Sequence, residues 1–262
     1  MDTQSPVSPN DEGVRLNMTA AERQTVAERA DRQVARFRKM AAGLQARTCP
    51  ICGYVGMFSA FGMPPRIDAK CGRCASLERH RLYALMIERL AHFGPDDHLL
   101  HFAPEHHIRK LLRPKVARYE TADISARGNI DHVVDIHDTG LPSASFTRVI
   151  CNHVLEHVDD RRALAEIHRL LKPGGLAFLT TPIIEGWRES YENAHVTTDA
   201  DRVLHFGQKD HVRYFGRDLR DRIKAAGFEV SEYTAVEPDV LTYGLSRGET
   251  IFIAQKQSEG ER

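Results

Sequence analysis

The sequence predicts an α/β fold: a sheet with helices on both faces, preceded by a small cysteine ribbon and an N-terminal helix. Three observations carry this. Short apolar runs alternate with helical patterns from His98 onward, as β-α units require. Four cysteines fall as two C-x2-C pairs between Cys49 and Cys74. Ahead of them, apolar residues recur at helical spacing.

A chain of 262 residues has room for one large domain with an appendage. Its 36 Lys and Arg balance 36 Asp and Glu, which argues against a globally basic nucleic-acid binder. Hydrophobic residues at 42% and charged residues at 27% exclude disorder throughout. No run approaches the ~18 consecutive apolar residues of a membrane span. The polar N-terminus lacks the charged-then-apolar order of a secretory signal. The expectation is a cytoplasmic protein, where paired cysteines favour metal over disulfide.

Residues 1–18, poor in hydrophobics, read as a disordered tail. Residues 19–46 read as an amphipathic helix. Thr19 and Glu22 have capping-box spacing, and Val26, Ala30, Val34, Phe37, Ala41 and Leu44 share one face. That face either packs on its own domain or pairs two copies as a homodimer. Residues 47–75 form the ribbon. Cys49, Cys52, Cys71 and Cys74 can place four thiolates around a tetrahedral Zn²⁺. A ribbon of ~25 residues buries too little core to fold without it. Filled entirely by cysteine, the site has no open position, so its zinc is structural. Cys151, alone on an apolar run, reads as a small buried hydrophobe.

Residues 76–262 hold the α/β domain. A helical pattern from Ser76 to His92 ends at Gly94-Pro95. A strand at His98–Phe102, a helix at Glu105–Leu112 and a strand at Ala117–Ile124 follow. Strands at His132–Ile136 and Phe146–Asn152 come next. The helix Asp159–Leu171 is then stopped by Lys172-Pro173-Gly174-Gly175. After a strand at Leu176–Thr181, Ile183 to Gly216 reads as one long segment, and such segments are often functional. A helix at Asp218–Ala226 and strands at Phe228–Val236 and Thr250–Ala254 complete the alternation.

Three runs carry a family resemblance: Leu141 to Phe146, Val149 to Val158, and Leu170 to Gly175. In order and spacing they resemble the class I S-adenosylmethionine (SAM)-dependent methyltransferases, type 11-like. The likeness spans about Asp97 to Ala254. The runs Cys74–Arg81 and Phe206–Arg213 are similar to a bacterial subgroup with an N-terminal four-cysteine zinc ribbon. The resemblance implies a Rossmann-like sheet, SAM as cofactor, and methyl transfer. One departure stands out. The first β-α loop, His101-Phe102-Ala103-Pro104-Glu105, has none of the glycines that let backbone approach a cofactor. By position, Phe102, Ala103, Pro104 and Glu105 contact the cofactor; either it sits slightly differently or Glu105 takes over the polar contacts with its amino-acid end. The family places Asp123 and Ile124 at the ribose and Asp135 and Ile136 at the adenine, and Asn152 completes the set. For the aspartates, the alternative is a strand-end turn or cap.

If a helix begins at His153, then His153, Glu156 and His157 share one face at the carboxyl edge, where open α/β sheets bind ligands. The run resembles the Glu-x-x-Glu-His metal site of small-RNA 2′-O-methyltransferases, with His153 for the first Glu. That implies a second divalent metal able to grip vicinal hydroxyls. The alternative is that Glu156 and His157 cap and pack the loop. His211 reads as a base or further ligand, and Arg213 as the holder of a polar or anionic substrate. The alternative pairs Asp210 with Arg213 and lets His211 pack. Arg79 and His80, on the helix leaving the ribbon, are candidate contacts at the cofactor mouth.

The leading function is O-methylation of a small polyol, such as a sugar or glycan precursor, with a small-molecule hydroxyl acceptor. One competitor is an rRNA or tRNA methyltransferase whose ribbon grips RNA. Against it, residues 1–48 hold eight Lys/Arg and six Asp/Glu, a weak electrostatic footprint. The other competitor is a non-catalytic SAM-fold scaffold.

Overall fold

The computed structural model describes residues 19–62 and 64–258. The expected tail, residues 1–18, lies outside them. Helix α1 (Ala20–Ala41) opens with the capping box its spacing predicts. Glu22 N–H donates to Thr19 Oγ1 at 3.2 Å, and Thr19 N–H to a Glu22 oxygen at 2.7 Å. Its apolar face does not pack on its own domain as one reading expected. No residue of the helix is buried, and Val26, Val34 and Phe37 are 51%, 46% and 52% exposed. Among the described residues the buried cluster of the ribbon is small, Phe58, Cys49 and Cys71, and Val55, Met57, Phe61 and Ile67 of its strands stay exposed as the helix does.

The ribbon is an antiparallel sheet of β1 (Ala46–Thr48), β2 (Val55–Phe61) and β3 (Arg66–Cys71). Helix α2 (Glu78–Leu90) leads into the main domain. There β4 (His98–Phe102), α3 (His106–Leu112), β5 (Arg118–Asp123), β6 (His132–Val133), β7 (Phe146–Asn152), α4 (Asp160–Leu170) and β8 (Leu171–Thr180) follow in turn. Next come β9 (Tyr191–Glu192), α5 (Asp199–Phe206), β10 (Arg213–Tyr214), α6 (Leu219–Ala225), β11 (Phe228–Thr234), α7 (Asp239–Tyr243) and β12 (Thr250–Lys256). The seven-stranded sheet has the order β11-β12-β8-β7-β4-β5-β6. Its inner strands are parallel, and β12 runs antiparallel to both β8 and β11.

Strand side chains alternate between two cores, as a two-residue period demands. Leu100, Phe102, Val149 and Cys151 join the layer under α4 and α6. Leu99 and Ile150, from the same strands, join the layer under α2 and α3. Each fully buried Leu, Ile or Phe contributes about 1.5–3 kcal/mol. Cys151 is fully buried, and that burial pushes its thiol pKa up.

Two segments differ from expectation. Lys172-Pro173-Gly174-Gly175 does stop α4, but it belongs to β8. Phe146 pairs with Leu171 and Arg148 with Leu176, so the Pro-Gly-Gly run bulges within the ladder. The stretch expected as one long segment contains β9, α5 and β10. Strands β9 and β10 pair antiparallel, Tyr214 opposite Tyr191. Gly207 ends α5 at φ +79, and a Cβ there would lie 2.2 Å from the Tyr214 hydroxyl.

Two buried groups predict acid sensitivity. Arg169, with Thr139 assisting against the opposing cost of burial, holds the Glu166 carboxyl at about 2. Burial holds the His101 imidazole down at about 4. Both folded values lie below their unfolded ones, so both contributions are present at neutral pH and fade on acidification. His101 loses its share as pH falls from about 6.5 through 4, and Glu166 as pH falls from about 4.5 toward 2. Glu166 alone is worth about 2–3 kcal/mol. The urea midpoint should therefore drop stepwise between pH 7 and pH 3; a flat profile would refute this.

Candidate functional site

The carboxyl ends of β4, β5 and β7 open onto a cavity of about 430 Å³. That lies within the usual range for a small-molecule site. Of the expected cofactor residues, Phe102, Ala103, Asp123, Ile124, Asp135 and Ile136 line it. Ile124 is 77% exposed, an apolar side chain with nothing yet against it. Asp123 accepts from Ser125 N–H through one oxygen at 2.8 Å, so it makes the strand-end turn and keeps its other oxygen for a ligand. Asp135 likewise turns the chain at His137 N–H and pairs with the His137 ring at 2.7 Å. Val134, His137 and Val158 also line the cavity. Val134 and His137 lacked a motif to mark them, and Val158 closes the Val149 to Val158 run without having been assigned a role.

The loop without glycine solves its turn with alanine. Ala103 adopts φ +47 and donates its N–H to Ala122 O at 2.9 Å. A side chain in this left-handed region costs about 1–2 kcal/mol. Pro104 and Glu105 do not line the cavity. Glu105 turns toward α2, where Oε1 accepts from Arg79 Nε at 2.6 Å and His80 Nε2 at 3.0 Å. Burial raises its pKa, but His80 and Arg79 outweigh that and hold it at about 2. Its Oε2 is buried with no partner among the described residues. Asn152 departs from the expected cofactor set. It is 3% exposed, outside the cavity lining, and its Oδ1 accepts from Tyr83 Oη and Thr180 Oγ1 at 2.6 and 3.0 Å.

His153, Glu156 and His157 lie in a turn, not at the start of a helix. His153 sits at φ +52 with its Nδ1 3.3 Å from Glu156 Oε1, and its Nε2 is buried without a partner among the described residues. Glu156 is 2% exposed and also accepts from Thr181 Oγ1 at 2.8 Å. The carboxylate's ligand partners are not those expected. One ligand atom from each of Glu156, His157 and His211 lies within 4.8 Å of the others, and His153 is outside this group. His153 stays beside the Glu156 carboxylate but outside the group, while Val212 N–H, bonded to Glu156 O at 3.0 Å, holds the segment carrying His211 against the turn. Both grouped imidazoles donate Nδ1–H to backbone carbonyls, His157 to Asp210 O at 3.1 Å and His211 to Phe206 O at 3.2 Å. Each therefore keeps an Nε2 lone pair, as metal-binding histidines do. Burial, then His157, pushes the His211 pKa down.

Arg213 does not hold substrate. It is 8% exposed and pairs with Asp160 at 3.1 Å and Glu192 at 3.0 Å, besides donating to Leu155 O at 2.9 Å. Its Nε and Nη1 tie the turn after β7 to β9. Asp210 is not its partner and faces His157 instead, at 3.5 Å. His205 bonds Tyr191 Oη at 2.7 Å and lies outside the cavity lining.

The four ribbon cysteines converge. Cys49 Sγ is 3.7 Å from Cys74 Sγ, and Cys52 Sγ is 3.8 Å from Cys71 Sγ. All four sulfurs lie within 4.8 Å of one another. A tetrahedral ion with Zn–S near 2.3 Å has S···S edges of about 3.8 Å, so the set fits zinc.

A family model described as a methyltransferase domain matches residues 74–233. No curated protein sequence gives a significant match. The [4+2]-cyclase SpnF is similar in structure, with TM-score 0.51 and 14% identity over 92% of this chain and 98% of its own. A Burkholderia thailandensis 1,6-didemethyltoxoflavin-N1-methyltransferase, solved with S-adenosylhomocysteine, has TM-score 0.47 and 16% identity over 68% of this chain and 77% of its own. A SAM-dependent methyltransferase from Mesorhizobium loti has TM-score 0.47 and 15% identity over 66% and 97%. Among the described residues, no helix is long and apolar enough to cross a membrane. The family model spans more than half the chain and takes in the cavity and most of the sheet, so this chain belongs to the methyltransferase domain family and is a SAM-dependent methyltransferase.

Proposed function

We propose that the enzyme methylates a hydroxyl of a small polyol, such as a sugar or glycan precursor. One observation carries this: a cavity-lining histidine, His153, has a buried Nε2 with no partner among the described residues while its Nδ1 faces the buried Glu156 carboxylate. The carboxylate holds the proton on Nδ1, so Nε2 is the lone pair that takes the acceptor's proton. SAM supplies a methyl group already activated on sulfur, and positioning does the rest. Asp123 receives the ribose hydroxyls, and Ile124 and Ile136 cover the adenosine. Asp135 orders the adenine wall, Phe102, Ala103 and Pro104 shape the loop beneath it, and Glu105 Oε2 receives the α-ammonium.

Cys49, Cys52, Cys71 and Cys74 hold a structural zinc in this reading. Glu156, His157 and His211 are the residues to hold a second divalent cation, replacing the His153, Glu156, His157 set expected from sequence. A cation there supplies a grip for vicinal hydroxyls and lowers the pKa of the one that attacks. The exposed α1 stripe is what a homodimer through this helix would bury.

A second reading, RNA as acceptor, has one observation in its favour. His106, Arg109, Lys110 and Arg113 recur at i, i+3, i+4, i+7 and line an open groove on α3. Its three Lys and Arg residues have no ion-pair partner among the described residues. The test offers SAM with polyols, sugar precursors or bulk RNA, with and without Mg²⁺ or Mn²⁺, and counts metals per chain. Methyl transfer to a polyol, raised by divalent ions in protein carrying zinc plus a second metal, is expected. One zinc per chain with indifference to added ions would remove the cation site. Transfer to RNA alone would overturn the polyol.

A further inference from the structure

The cysteine ribbon and the cofactor loop are joined by a continuous run of hydrogen bonds and one ring stack. The Cys74 carbonyl, in the second knuckle, accepts from His107 Nε2 at 2.8 Å. The His107 ring stacks on His80, with centroids 4.6 Å apart and planes 24° from parallel. His80 Nδ1 accepts the Leu77 N–H at 3.1 Å, close behind the knuckle. That leaves the His80 proton on Nε2, aimed at Glu105 Oε1 at 3.0 Å. Arg79 Nε donates to the same oxygen at 2.6 Å. Behind these, buried Arg81 donates to Ser76 O at 2.6 Å and Ala69 O at 3.0 Å, fixing the start of α2 on β3.

The two carboxylate oxygens are therefore unlike. Oε1 has two donors, while Oε2 is buried and has none among the described residues. Glu105 also makes no side-chain cap to α3, although it stands at its N-cap. A buried acceptor left bare is unfavourable, and a ligand ammonium can satisfy it.

We propose that the ribbon is a working part of the cofactor site: the second zinc knuckle, through His107, His80 and Arg79, positions Glu105 for the cofactor's α-ammonium. The three are positioning residues and touch no reacting atom. This rests on the reading of Glu105 given above. It accounts for a loop that does without glycine and offers no N–H at Pro104. The amino-acid end is gripped by a side chain braced from the ribbon, not by loop backbone.

The test measures binding of S-adenosylhomocysteine and of 5′-methylthioadenosine, which lacks the amino-acid end, to the full zinc-loaded chain by calorimetry. His107→Ala should weaken S-adenosylhomocysteine about tenfold and leave 5′-methylthioadenosine and zinc content unchanged. His107→Gln, which keeps an N–H near the Nε2 position, should restore binding. Arg79→Gln, at a side chain 28% exposed, should repeat the selective loss without threatening the fold. Equal weakening of both ligands, or no change in either, overturns the proposal. Glu105→Gln separates the two layers. If it leaves S-adenosylhomocysteine affinity intact, the Glu105 reading itself fails. If it weakens binding while His107→Ala and Arg79→Gln do not, only the coupling to the ribbon fails.

Discussion

His153→Gln is expected to lower turnover about 10²–10⁴-fold, the usual worth of a positioned general base, while S-adenosylhomocysteine still binds. Glutamine fills similar space and keeps a polar end, but it cannot take a proton. The loss should fall on kcat, because His153 meets the acceptor hydroxyl as its proton leaves. Glu156→Gln should cost less. It keeps a hydrogen bond to Nδ1 but releases the tautomer, so the base stands in the wrong protonation state part of the time. A His153→Gln enzyme with unchanged kcat would remove the base from the mechanism and leave positioning alone.

The second large effect is structural. Cys49→Ser should release zinc and unfold the ribbon, because Cys49 is fully buried in a cluster that contains little besides Phe58 and the cysteines. Zinc at such sites contributes about 10–16 kcal/mol in isolated peptides, far beyond what this core can supply. Metal analysis should show zinc falling below one per chain. Hydrogen exchange should show protection lost across β1 to β3. A variant that keeps its zinc and its protection would mean that the ribbon is not built on the metal.

These expectations show where sequence was sufficient. The alternation of apolar strands and amphipathic helices was readable because adjacent strand residues feed opposite cores, as Leu99 and Leu100 do. The cysteine spacing was readable because four ligands of one ion must converge. Other features depend on where distant segments meet. Arg213 looked available because its partners, Asp160 and Glu192, lie far away in the chain, while nearby Asp210 turns elsewhere. Strands β9 and β10 are two residues each, too short to show a period. The bend at His153 is carried by a residue that rarely adopts it, so no glycine announced it. Periodicity in α1 told that one face is apolar but not what covers it. Among the other histidines, His98 and His132 bracket Glu120, and His101 bonds Tyr119, all in structural roles.

Arg81 has a consequence for the order in which the molecule closes. Its guanidinium is fully buried and donates to the carbonyls of Ser76, Ala69, Tyr243 and Gly244. The first two acceptors are neighbours in sequence, and the last two lie 162 and 163 residues downstream. While the chain emerges from the ribosome, the four cysteines are made early, yet the charge at their junction stays half satisfied until α7 is made. A buried guanidinium lacking half its acceptors favours an open, hydrated junction. Contacts of such long separation are slow to form. The seam between ribbon and sheet is thus among the last parts of a nascent molecule to dry out.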